Sequence, residues 1–117
     1  RGLGDVYKRQ VYTRVKNEES TYFDQTSEVK NSQFASGSII KGYVEHSIVS
    51  RNCRIEIGAQ VKNSILSPKA IIGEGAKIEN AIIDKSVEVA PGITIKGTSE
   101  EPMVVAKGTK VVEDMIR

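Results

Sequence analysis

Aromatic residues make up only 5% of this 117-residue chain, and tryptophan is absent. Any core must therefore be packed by aliphatic side chains, and an apolar content of 38% suffices for one soluble domain. Cys53 is the single cysteine, so no internal disulfide can form. No window reaches the roughly 18 apolar residues of a membrane span, and no charged segment followed by an apolar run reads as a secretion signal. No membrane association and a cytoplasmic location are the expectation. Charge of one sign is missing as well. Arg1, Lys8 and Arg9 against Asp5 account for the whole net charge of +2, leaving 14 basic and 14 acidic residues after Gln10. That balance offers no electrostatic footprint for nucleic acid.

What the chain does have is a series of aliphatic residues at an unusual spacing. Val44, Val49, Ile55, Val61, Leu66, Ile72, Ile78, Ile83, Val89 and Ile95 are separated by steps of five, six and six, three times over. A helix would need threes and fours and a half-buried strand would need twos, so neither template fits. The segment also superposes on itself at a shift of 17 residues, which aligns Gly58, Gly75 and Gly92. Hexapeptide self-similarity of this kind predicts an all-β parallel β-helix, in which each coil buries its apolar face only against a neighbouring coil.

Two places before most core aliphatics stands a small residue, as in Ser47, Cys53, Ala59, Ser64, Ala70, Ala76 and Ala81; Val87 and Ile93 are larger. One large and one small side chain per flat side fill a narrow triangular interior to normal density. Cys53 belongs to this series and reads as a buried core thiol. Gly58, Gly73, Gly75 and Gly92 fall between sides, where a positive φ is expected and glycine adopts it at least cost.

Taken in order, Arg1–Gln10 has no periodicity and resembles a translated adapter sequence, so it is set aside as a non-native leader. Residues 11–28 read as an entry strand and a linker, with Lys16–Ser20 a solvated loop. Val29, Phe34 and Ile40 extend the core series backwards, and the step of four to Val44 shortens the first coil by two residues. Residues 29–97 thus make about four coils, a stub of about 20 Å at roughly 4.8 Å per coil. Residues 98–117 are expected to form a loop through Pro102 and then a pair of capping strands.

Chemistry-bearing patterns are scarce. Ile72-Gly73-Glu74-Gly75 lacks the spacing and the Lys-Ser/Thr ending of a phosphate loop. The carboxylates Glu56, Glu74, Glu79 and Glu88 sit singly, with no second His or Cys to make a metal set. His46 could serve as a general base on the coil surface. Yet it occupies the slot held elsewhere by Asn31, Asn63 and Asn80, before Ser32, Ser64 and Ala81, which favours a structural place in a polar ladder.

Several strings are similar to the C-terminal β-helix domain of bacterial glucose-1-phosphate adenylyltransferases and their accessory, regulatory-type subunits. They include Tyr12-Thr13-Arg14, Val29-Lys30-Asn31-Ser32, Gly42-Tyr43-Val44, Lys62-Asn63-Ser64-Ile65, Ala81-Ile82-Ile83-Asp84-Lys85 and Pro102-Met103-Val104-Val105. The resemblance implies a left-handed coil, against the usual right-handed preference of parallel crossovers. It also implies that nucleotidyl transfer, with its Mg²⁺-binding carboxylates, belongs to a preceding domain missing from this chain. On that basis no catalytic, cofactor or metal residue is assigned here, and the chain reads as a single-domain fragment with an assembly and regulatory role. Implied partners are its own catalytic domain and a catalytic adenylyltransferase subunit in a homo- or hetero-oligomer. Arg14 and Arg51 are candidate contacts for a phosphorylated effector. The alternative is a small hexapeptide-repeat acyltransferase with His46 as general base.

Overall fold

The computed structural model describes the backbone of residues 15–17 and the whole of residues 21–117. Among these residues there are eighteen short strands and no helix. They follow one another as six rungs of three. The first rung is β1 (Val15–Asn17), β2 (Tyr22–Phe23) and β3 (Glu28–Lys30), and the second is β4 (Ser32–Phe34), β5 (Ile39–Ile40) and β6 (Tyr43–Glu45). The third is β7 (Ile48–Val49), β8 (Arg54–Ile55) and β9 (Gln60–Lys62), and the fourth is β10 (Ile65–Leu66), β11 (Ile71–Ile72) and β12 (Lys77–Glu79). The fifth is β13 (Ala81–Ile83), β14 (Glu88–Val89) and β15 (Thr94–Lys96), and the sixth is β16 (Met103–Val105), β17 (Lys110–Val111) and β18 (Met115–Ile116).

Every strand pairs in parallel with the strand one rung away, giving three six-stranded sheets. The first sheet is β1-β4-β7-β10-β13-β16, the second runs from β2 to β17, and the third runs from β3 to β18. This is the parallel β-solenoid that the hexapeptide spacing predicts. All ten of the aliphatics from Val44 to Ile95 are buried, as are Phe34 and Ile40. Phe23 and Phe34 meet edge to face at 5.0 Å, filling the upper end of the core where the coil is shorter. The shortening is visible in the ladder itself, since Cys53 pairs with Ser38 across 15 residues and Ser64 with Ser47 across 17.

Six rungs stand where the aliphatic series suggests about four. The first rung is hidden because Asn17 stands where the series needs an aliphatic, and the last because an insertion breaks the five-six-six step. Val15–Asn17 lies in register with Ser32–Phe34, and an insertion displaces Met103–Val105 from Ala81–Ile83. The expected pair of capping strands is a trio that continues all three sheets. Five spacings of roughly 4.8 Å make the stack roughly 24 Å tall.

Gly58, Gly75 and Gly92 adopt φ of 79°, 71° and 77°, as their corner position requires. Gly73 corrects that reading. It has no positive φ, and a Cβ there would lie 2.7 Å from the Pro91 nitrogen of the next rung, so close backbone approach demands glycine.

Candidate functional site

The corner from the third sheet to the first is built by Asn31, His46, Asn63 and Asn80, at φ of 46°, 52°, 49° and 52°. Asn and His are among the few non-glycine residues that tolerate this left-handed region. Each is followed by a small buried residue: Ser32, Ser47, Ser64 or Ala81. The Ser64 hydroxyl donates to the Lys62 carbonyl at 2.7 Å and accepts from the Ala81 N–H of the next rung at 3.1 Å. Ser47 and Ser32 repeat both bonds one and two rungs earlier. The turn therefore leaves no orphan donor in the core at these rungs.

His46 takes its place in this column. Its Nδ1 lies 2.7 Å from the Asn63 side-chain oxygen, which can only accept. In the neutral ring Nδ1 therefore carries the proton, and the Nε2 lone pair remains. Imidazole and amide thereby bridge two consecutive rungs.

Cys53 sits at the corner from the first sheet to the second, one rung after Ser38, whose hydroxyl accepts from the Cys53 N–H at 3.0 Å. The thiol is buried and donates to the Ser67 carbonyl at 3.2 Å. Burial raises its pKa, against backbone hydrogen bonds that act the other way, so the reactive thiolate is disfavoured.

The three outer faces differ in charge. On the third sheet the register aligns Lys30, Glu45, Lys62 and Glu79 with Lys96, alternating in sign from rung to rung. Tyr43 stands between Lys30 and Lys62, whose ammonium groups lie 5.7 and 5.8 Å from its ring. Its hydroxyl donates to Glu45 at 2.7 Å, and that bond, then burial, pushes its pKa up to about 12. On the second sheet Lys41 and Arg54 pair with Glu56 at 3.9 and 3.0 Å. On the first sheet the column in register after Lys16 of the first rung, Gln33, Ile48, Ile65, Ile82 and Val104, carries no charge.

Arg51 lies exposed at the corner where the chain leaves the first sheet, and Arg14 lies outside the described residues. Among the described residues no group of three His, Cys, Asp or Glu side chains could hold a metal, and no helix is long and apolar enough to cross a membrane. The feature that the aliphatic series passed over is the apolar outer column of the first sheet. Its signal is the doublets Ile48-Val49, Ile65-Leu66, Ile82-Ile83 and Val104-Val105, in which the second residue is buried and the first is not.

Residues 15–115 match the model of the GlmU-like C-terminal hexapeptide family. The chain belongs to that family. The match runs across all six rungs, end rungs included. Among curated proteins the chain is 56% identical over 99 residues to the glycogen biosynthesis protein GlgD of Geobacillus stearothermophilus, and 45% identical over 98 residues to that of Bacillus subtilis. Those alignments cover 85% and 84% of this chain but 29% of each relative, so this family member spans under a third of their length. Among solved structures the fold is similar to a perosamine N-acetyltransferase variant from Caulobacter crescentus in complex with CoA and GDP-perosamine. The TM-score is 0.77 at 16% identity, over 98% of this chain and 56% of that one. PerB from the same organism superposes equally well, with a TM-score of 0.76. At such identity the likeness is one of fold alone.

Proposed function

We propose that this chain is the C-terminal assembly and regulatory domain of a glucose-1-phosphate adenylyltransferase-like protein of glycogen biosynthesis, acting in the cytoplasm. The parent reaction joins ATP and glucose 1-phosphate into ADP-glucose and diphosphate, and its Mg²⁺ chemistry belongs to a catalytic domain outside this chain. The observation that carries the reading is the 56% identity to GlgD over 85% of the chain. The corner polar groups described above are absorbed by the ladder, which leaves surfaces rather than a catalytic constellation as the means of action. Its partners on this reading are the rest of its own longer protein and a catalytic adenylyltransferase subunit, with Arg51 as an effector contact.

Mixing residues 1–117 with a catalytic glucose-1-phosphate adenylyltransferase subunit tests this directly. A complex on sizing with light scattering is the expected result, together with an altered effector response of the catalytic subunit that weakens in Arg51→Ala. If no complex forms at tens of micromolar, the assembly role fails. A second reading, a hexapeptide acyltransferase, has one observation in its favour: Asn63 fixes His46 Nδ1 and leaves Nε2 as a base. The asparagines in the same corner slot on other rungs favour the ladder role instead.

A further inference from the structure

Scattered exposed aliphatics are ordinary on a protein surface, but a contiguous column is not. Ile48, Ile65, Ile82 and Val104 stand in direct register on the outer face of the first sheet. They are 46%, 42%, 37% and 59% exposed. No charge interrupts them, whereas the third sheet alternates sign over its first five rungs.

The exit border of this face is mainly basic, with Asp84 beside Lys85, while the entry border is neutral at Asn31, His46, Asn63 and Asn80 and acidic only at the sixth rung. The chain leaves the sheet past Arg51, Lys69, Lys85 and Lys107, all exposed. Within hydrogen-bond or ion-pair range, none of these four cationic heads has an acidic partner among the described residues. Like charges stacked one rung apart are unfavourable unless something answers them. The chain enters the sheet at the opposite corner, where residues 98–102 bulge out at the sixth rung. Gly97 and Met103 close the base of that bulge, where a Cβ at Gly97 would run into the Met103 nitrogen. The bulge is held by the Glu101 N–H on the Thr98 hydroxyl at 2.9 Å, and it exposes Glu100 and Glu101.

We infer that a second copy of this chain packs face to face on the first sheet, about a two-fold axis parallel to the stack. Such an axis opposes each aliphatic to its own counterpart on the same rung, as an isologous interface requires. It also sets the exit corner of one copy beside the acidic bulge of the other, so that Lys85 and Lys107 approach Glu100 and Glu101 of the second copy. A two-fold axis across the stack would instead set basic corner against basic corner, which like-charge repulsion opposes. The face is small beside the roughly 800 Å² per partner of a standard interface, so the dimer is weak and dependent on concentration. This inference deepens the assembly role proposed above, yet it is tested without the catalytic subunit.

Sedimentation equilibrium of residues 1–117 at low salt is the experiment, from low to high micromolar. The average mass should climb from 12.8 kDa toward twice that value. Ile65→Lys, and separately the pair Lys85→Glu with Lys107→Glu, should each weaken association about tenfold or more while thermal melting is retained. Adding Glu100→Lys and Glu101→Lys to the charge-reversed pair should restore it. A monomer at every concentration, association indifferent to Ile65→Lys, or no rescue by the fourfold reversal would each overturn the arrangement. Binding to a catalytic subunit by a chain that stays monomeric would uphold the assembly role and defeat this dimer.

Discussion

A buried serine takes the place of a backbone acceptor at three of the turns from the third sheet to the first, those of Ser32, Ser47 and Ser64. Removing the Ser64 hydroxyl leaves the Ala81 N–H buried with no replacement at hand, because its one described acceptor is that oxygen. Ser64→Ala should therefore cost about 1–3 kcal/mol, read as a lower urea midpoint with an unchanged slope. An unmoved midpoint would show that the ladder is incidental. One rung later the column has alanine, and the Met103 N–H turns to the Asn80 carbonyl at 3.0 Å instead. The small-residue series was legible in the sequence because size alone decides what fits inside a narrow coil. That its serines also satisfy the corners was not legible, since small and hydrogen-bonding are indistinguishable until the turn geometry is known.

At the scale of the element, the chain is a sequence of flat sides and corners, and the corners impose two different demands on glycine. Gly75 needs only its φ of 71°, with nothing within 4 Å of a Cβ, whereas Gly73 lies against the backbone of the following rung. Gly75→Ala should cost about 1–2 kcal/mol of left-handed strain. Gly73→Ala should cost more, because backbone atoms rather than a flexible side chain would have to move. Comparing the two thermal midpoints checks this ranking, and equal losses would contradict it. The sequence shows both glycines in the same short string and cannot separate them, because inter-rung distance is a property of the stack. The inward column of each side was readable from its period. The outward column of the first sheet was masked by it, since an Ile-Val or Ile-Ile doublet contributes its second member to the core and hides the first.

For the whole molecule, the five-six-six step and the 17-residue shift suffice to specify a parallel coil, and the core residues from Phe34 to Ile95 are where that period places them. The rung count was less readable because Asn17 takes an aliphatic's place at the first rung and a bulge at residues 98–102 interrupts the period before the last. The candidate site was the least legible part. His46 and Arg51 are single residues, and a lone imidazole or guanidinium carries no geometry until its neighbours are placed. Once placed, His46 is a rung in a column of asparagines and Arg51 is one of four cations along an edge.

On the proposed function, this chain acts through its faces and performs no group transfer by itself. The most direct test is a pair of turnover assays on purified residues 1–117, one for ADP-glucose formation from ATP, glucose 1-phosphate and Mg²⁺, the other for acetyl transfer from acetyl-CoA to amino-sugar acceptors. Neither assay should rise above the protein-free rate, and His46→Ala should change nothing in either. ADP-glucose formation by this chain alone, or acetyl transfer that disappears in His46→Ala, would contradict the account.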